Sequence, residues 1–395
     1  MSAHHEHRAS LEQFLDFSPL PPSLNTDEVA RARGVFKKLI SHCEPVQRSK
    51  PYKRVTLARS TYEHVQSQDI FLHQFFVFLD AQEHPSEPDF ERGISRFSGF
   101  DPAASVSEKI EAEKAVNSFA EYLFNNFFLP LKASGNKTSQ PTPAALTSSV
   151  ENVVGTLGRL SVLRRDCLIR DHHRCVVTRM FDIREAERRF DKDGTNAEDD
   201  DGSTLIYAPG QFEYLEVAHI IPHSIMSSMS TGSSAELNQS KKNALAILRM
   251  FDPSAIHLIE GSDIDHSTNA ISLTLGLHQF FGDFKFYFEE MDPTTYPQHT
   301  YRIDSKKTNP FARPEGLPVT RTLFLSPHHT IDPPSRKLLA IHRAICVILH
   351  LSGAGEYIDR IMRDMEEVHV RSDGSTELGR IVSLKLGSWL GGVSA

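Results

Sequence analysis

The sequence predicts an α+β protein with helical regions at both ends and a mixed centre, and three observations carry that expectation. Apolar residues recur at helical spacing between Asp27 and Leu129. Between 151 and 290, short apolar runs of strand length alternate with helical patterns, and helical spacing returns after Pro334. A chain of 395 residues fits about two or three domains, each large enough to bury a core without disulfide staples.

The elements follow in order. The first 25 residues are polar and contain Pro19, Pro21 and Pro22, which predicts a flexible leader. Residues 26–132 form a helical region. Asp27 is the expected cap of a helix with Val29, Val35, Phe36 and Leu39 on its apolar face. A second helix is expected over Thr61–Asp80, with Ile70, Phe71, Phe75, Phe76 and Leu79 apolar. A third, over Ser107–Leu129, has Ala112, Val116, Phe119, Leu123 and Phe127 on one face and stops at Pro130. Residues 133–150, rich in Ser, Thr, Pro and Ala, form a linker by composition.

Residues 151–303 form the second domain. A helix runs into a strand and turn around Arg174–Thr178. An acidic, solvated loop insertion is expected over 183–210, densest from 190 on, and a second polar loop over 226–242. Strands are expected at Glu213–Ile221, His257–Glu260 and Phe284–Phe288, and a helix at Ala244–Met250. Asn269–Phe281 reads as turn, strand and helix. The flank 304–395 is expected to be helical, with helices at Pro334–Leu351 and Glu356–Val368.

Composition narrows the function. A net charge of −8 excludes a protein that coats nucleic acid through bulk charge. It leaves room for a local basic face: Arg159, Arg164, Arg165, Arg170, Arg174 and Arg179 stand against only Asp166 and Asp171. Those arginines read either as phosphate contacts or as a solvated helix face. Cys43, Cys167, Cys175 and Cys346 include no CxxC pair, so neither a disulfide framework nor a cysteine-only zinc ribbon is expected. The apolar stretch Leu338–Leu351 is interrupted by His342 and Arg343, and no secretory signal is evident, so the expected address is intracellular with no membrane partner.

Three pieces carry chemistry: RDHHRCVVTR (170–179), EVAHIIPHS (216–224) and NAISLTLGLHQFFGDFKFYF (269–288). Phosphodiester cleavage needs a base to deprotonate water and a cation to neutralise charge on the phosphate. A histidine on a strand, beside a helix carrying a metal-binding histidine, supplies both. Taken alone, His219 among Val217, Ala218, Ile220 and Ile221 also reads as a satisfied core histidine. Cys175 reads as a small buried residue at a strand start.

Together the pieces resemble the HNH (His-Me finger) endonuclease superfamily, most closely a fungal branch with A-H-I-x-P around the first histidine and L-H-x-x-F around the last. The resemblance implies a ββα-metal core and a divalent cation, magnesium or manganese, as cofactor. It implies DNA, or less often RNA, as the partner. His219 would be the general base, Asn269 the residue that fixes the hairpin backbone, and His278 a metal ligand. Ala218 and Gly282 stand where many members carry further ligands. Asp283, His223, Asp265 and Glu216 are the candidates to complete the set. Arg164, Arg165, Arg170 and Arg174 are the candidate nucleic-acid contacts. One such site cuts one strand, so double-strand cutting calls for a homodimer or two successive nicks. The alternative is a catalytically degenerate HNH domain that binds nucleic acid or another protein.

Overall fold

In the computed structural model the described residues are 24–101, 103, 105–135, 157–206, 211–226, 239–366, 377–387 and 389–390. They divide into two units: the chain up to Phe127 together with Leu237–Pro253, and Phe128–Glu236 together with Ser254–Ala395. Nearly all of the expected leader and of the expected linker lies outside the described residues; Asn25, at the end of that leader, belongs to the first helix.

The first unit is helical. Helix α1 (Thr26–Val46) is capped by Asn25 rather than Asp27. The Asn25 side chain accepts from the N–H groups of Asp27 and Glu28, and the Glu28 carboxylate returns a bond to the Asn25 N–H at 2.7 Å. The helix expected from Thr61 is two helices, α2 (Arg54–His64) and α3 (Gln68–Ala81). The chain breaks between them because the N–H groups of Gln66 and Ser67 bond the carbonyls of Phe251 and Met250, each at 3.0 Å. Those carbonyls end a later helix, Gln239–Phe251. Helix α4 (Phe90–Ser98) approaches α3 so closely that a Cβ on Gly93 would lie 2.1 Å from the Phe76 carbonyl oxygen.

Helix α5 (Val106–Leu123) starts one residue earlier than expected, with Ser105 and Glu108 forming its capping box. Pro130 does not stop the helical path. A π-turn at Phe124–Phe128 leads into α6 (Leu129–Ser134), where Pro130 occupies the first turn and needs no N–H partner. The core of the unit is aromatic. Phe36 meets Phe71 and Phe75, and Phe119 meets the same pair, with centroids 5.0–5.5 Å apart and planes nearly perpendicular.

The second unit mixes helices with three small sheets. Helix α7 (Leu157–Arg170) enters a knuckle over 171–180. There the Cys175 N–H bonds the Met180 carbonyl, and Cys175 Sγ receives the Thr178 N–H at 3.5 Å. Strand β1 (Phe181–Asp182) runs directly into helix α8 (Ile183–Asp193), where the sequence predicts a loop. None of the α8 residues is fully buried, although Ile183, Ala186 and Phe190 recur at helical spacing and Ala186 packs against the Phe181 cluster. The helix also rests on an Asp182 cap and on Glu185, which pairs with Arg188 and Arg189 one turn on.

Strand β2 (Phe212–Glu213) pairs in parallel with β1, and β3 (Leu215–His219) begins two residues later. The helix Gln239–Phe251, α9 in chain order, belongs to the first unit although the sequence places it inside the second domain. His257 lies in a 3₁₀ turn, Pro253–Leu258, and not in the expected strand. Strand β4 (Ala270–Thr274) pairs antiparallel with β3, setting Leu215 against Thr274 and His219 against Ala270. Helix α10 (Leu275–Gly282) follows β4 without a loop.

Strands β5 (Tyr287–Glu290), β6 (Thr300–Asp304) and β7 (Val319–Thr322) form an antiparallel sheet. This sheet runs through the expected boundary at 303/304, so the C-terminal flank is not wholly helical. The expected strand at Phe284 starts late because Phe284 is left-handed, with φ of 54°. Helices α11 (Arg336–Ser352), α12 (Ala354–Glu366) and α13 (Leu378–Leu386) complete the unit. Gly353, at φ +72°, ends α11, and α12 leaves at 87°. Among the described residues no single helix is long and apolar enough to cross a membrane.

His342 on α11 stacks on Phe281 and Phe284 at 3.9 and 4.6 Å, and its Nε2 lies 3.1 Å from the Phe281 carbonyl oxygen. Burial pushes its pKa down to about 3. Unfolding restores the ordinary value of 6.5, so the unfolded chain binds the extra proton. The stability this neutral ring contributes is therefore complete above about pH 6.5 and declines as the pH falls towards 3. His342→Phe is expected to flatten the fall in melting temperature between about pH 6.5 and pH 4. Melting curves across that range would show it; parallel acid limbs would refute it.

Candidate functional site

The β3–β4 hairpin and α10 carry the three residues that the motif singles out. His219 ends β3, Asn269 stands immediately before β4, and His278 lies within α10. Asn269 is fully buried and uses its whole amide. Its Oδ1 accepts from the Ile221 N–H at 2.9 Å. Its Nδ2 donates to the carbonyls of Ile221 and Ile264 at 3.0 and 2.9 Å. The Asn269 carbonyl also accepts the Ile220 N–H at 2.8 Å. One residue thus ties the backbone just after His219 to the turn Gly261–Asp265. Asparagine suits the position because a single side chain offers both a donor and an acceptor.

Asp265, brought in by that turn, meets His219. Its Oδ1 lies 3.1 Å from His219 Nε2, and both side chains are almost completely enclosed. Arg159 on α7 stands behind the carboxylate, 3.9 Å from Oδ2, and donates to the Ser262 carbonyl at 2.8 Å. The other ring nitrogen of His219, Nδ1, is buried with no hydrogen-bond partner. His42, His73, His299 and His350 likewise keep one buried ring nitrogen without a hydrogen-bond partner.

His278 repeats this arrangement. Its Nδ1 lies 2.6 Å from Glu216 Oε2, and its Nε2 is buried without a partner. Glu216 and Ala218 leave β3 by the same face, because side chains alternate along a strand. His219, three residues after Glu216, leaves by the other face. There Val217 packs with Leu163 and Cys167 of α7. The hairpin therefore carries two histidine–carboxylate pairs, one towards α7 and one on α10, each with one ring nitrogen unpartnered.

The remaining candidates fall elsewhere. The His223 ring is buried with its centroid 5.6 Å from that of His219. Asp283 ends α10 and faces lysines: Lys285 Nζ is 2.7 Å from its Oδ2 and Lys132 Nζ is 3.8 Å from its Oδ1. Glu216 and Asp265, both candidate metal ligands in the sequence, are engaged with histidines. His172 and His173, beside Cys175, bond Asp201 and Asp200 at 3.2 and 2.9 Å. Among the described residues, no group of three or more His, Cys, Asp or Glu side chains is arranged to hold a metal ion.

The arginine face requires correction. Arg170 is wholly buried: it forms a two-pronged pair with Asp171 at 2.8 and 2.9 Å and donates to the carbonyls of Ser267 and Ala270. Burial works against its charge, but Asp171 outweighs that and raises the guanidinium pKa. No phosphate can reach it. Arg164 points inwards to the Leu215 carbonyl and Asp182, and burial lowers its pKa. Arg174 pairs with Asp199, donates to the Arg179 carbonyl and lies over the Phe181 ring. Of the four candidates only Arg165 is largely exposed, at 64% of its side chain, beside Asp166. Arg164 and Arg170 serve the fold because they lie on the side of α7 that faces the hairpin, whereas Arg165 lies on its solvent side.

The partnership of Asp265 with His219 has no local sequence signal, since 46 residues separate the two. Glu216 does have one: it lies two residues before Ala218 on the helix-facing side of a strand. Against known proteins, residues 175–289 match the family model described as HNH endonuclease. Neither a curated protein nor a solved structure matches the chain.

Proposed function

We propose that this protein is a metal-dependent endonuclease that hydrolyses nucleic-acid phosphodiester bonds, with DNA as its first substrate class. The observation that carries the reading is the pair of histidine–carboxylate contacts, His219 with Asp265 and His278 with Glu216, on a strand and a helix inside the residues that match HNH endonucleases. Each histidine is held by a carboxylate through one ring nitrogen, the arrangement that orients a base or a metal ligand. The match of residues 175–289 to HNH endonucleases supports the same reading and a ββα-metal core.

The residues fit a cation in part. His278 Nε2 is a free, oriented donor, and Glu216 is its supporting carboxylate. With no three-donor cluster among the described residues, the remaining ligands would be water and phosphate oxygens, which suit magnesium or manganese. When bound, such an ion supplies positive charge against the phosphate. The protein does the rest. Asn269 holds the backbone after β3, His219 would supply the base through Nδ1, an atom enclosed in this structure and on the strand face opposite Glu216, and His278 would hold the cation.

A second reading, a nucleic-acid-binding module without catalysis, is favoured by the same lack of a third donor and by the engagement of Asp283 with lysines. Plasmid nicking separates the two. The nuclease gives nicked circles with magnesium or manganese and none with EDTA, and His278→Ala removes the activity. Salt-sensitive DNA binding by folded protein, with no nicking in either metal, would overturn catalysis in favour of the module. Double-strand breaks would require two copies or two successive nicks.

A further inference from the structure

We infer that Asp265 is the positioning residue that sets the tautomer and orientation of His219, so that Nδ1, and not Nε2, is the basic atom. This rests on the nuclease reading for its chemistry, although the geometry stands by itself. An ionised Asp265 could only accept a hydrogen bond, and the 3.1 Å contact would then put the ring proton on Nε2. Nδ1 is then the lone-pair nitrogen, and it is the one without a protein partner.

The turn that carries this carboxylate, Gly261–Asp265, is fastened at two carbonyls, that of Ser262 by Arg159 and that of Ile264 by Asn269. Arg159 also stands 3.9 Å from Asp265 Oδ2, so the enclosed negative charge has a cation nearby. Asn269 acts twice, fixing the chain after His219 and the chain before Asp265. Base and positioning residue are therefore held in register by one amide.

In the reaction, Nδ1 takes a proton from the attacking water as the new P–O bond forms and the bond to the leaving oxygen breaks. The leaving oxygen is protonated from solvent. Asp265 balances the charge of the imidazolium without taking its proton, and the ring later returns that proton to solvent. A ring free to turn or change tautomer would present an N–H to the water and lose this step.

The test uses the full chain labelled with ¹⁵N-histidine, in wild-type, Asp265→Ala and Asp265→Asn forms. The His219 signals are identified by difference against His219→Gln. Wild-type is expected to show a protonated Nε2 and a bare Nδ1, and both Asp265 variants a mixture of tautomers. Nicking kcat should fall about 100-fold with KM within about twofold, because the step lost is proton transfer and not binding. Asp265→Asn preserves side-chain volume, so it remains informative if the alanine variant does not fold. A bare Nε2 in wild-type, an unchanged tautomer in the folded variants, or wild-type kcat in them would overturn the inference. If wild-type fails to nick in any metal, the nuclease reading falls, and the tautomer comparison still decides whether Asp265 governs His219.

Discussion

His219→Ala is expected to lower metal-dependent nicking about a thousandfold while leaving DNA binding within about twofold, since a positioned base contributes roughly 10²–10⁴ in rate. Truncation leaves the enclosed Asp265 carboxylate with Arg159 beside it, so a loss of stability is expected alongside the loss of rate, and the rate is read only on folded protein. The measurement is initial nicking rate at saturating plasmid, with far-UV circular dichroism to establish folding. A folded His219→Ala protein that nicks at the wild-type rate would remove the proposed base. The effect should not add to that of Asp265→Ala, because the second residue acts only through the first. A double variant is expected to match His219→Ala alone.

Arg170→Ala is expected to destabilise the second unit by about 3–5 kcal/mol, the range for removing one partner of a buried ion pair. The reason lies in what remains. Asp171 would be left fully buried, still accepting the Ser272 N–H at 3.1 Å but without its cation. The carbonyls of Ser267 and Ala270 would also lose a donor, at the point where the chain passes Asn269 into β4. Urea unfolding monitored at the single Trp389 would report the change, since that indole is buried in the same unit. A shift below about 1 kcal/mol would mean that the pair is no more than a surface-like contact. Replacing Arg170 and Asp171 together by apolar residues should be milder than either single change. A role in phosphate binding makes a different forecast, lost DNA affinity at unchanged stability.

Local chemistry made much of the fold legible. The helices of the first unit follow from apolar spacing, and the strand, turn, strand and helix around His219 and His278 follow from alternation and from Asn269. The misreadings share a cause. Helix α8 carries Ile183, Ala186 and Phe190 at helical spacing, but its many charges and the acidic patch after it read as a solvated loop. Val65–Ser67 looks helical by composition, but its N–H groups bond the end of a distant helix. Pro130 reads as a stop, yet a π-turn places it in a first helical turn. In each case a cap, an ion pair or a long-range hydrogen bond overrode the local preference.

By itself the sequence determined the helical ends, the mixed centre, and the strand and helix positions of His219 and His278. Those features depend on neighbours within a few residues. The tertiary structure alone decided what the charged groups do. It gave Asp265 to His219 across 46 residues, turned Arg164 and Arg170 from solvent into the hairpin, and placed Asp283 among lysines. It also assigned the helix Gln239–Phe251 to the first unit. The physical reason is that a charge is satisfied by whatever the fold brings within about 3–4 Å, a distance that sequence spacing does not encode.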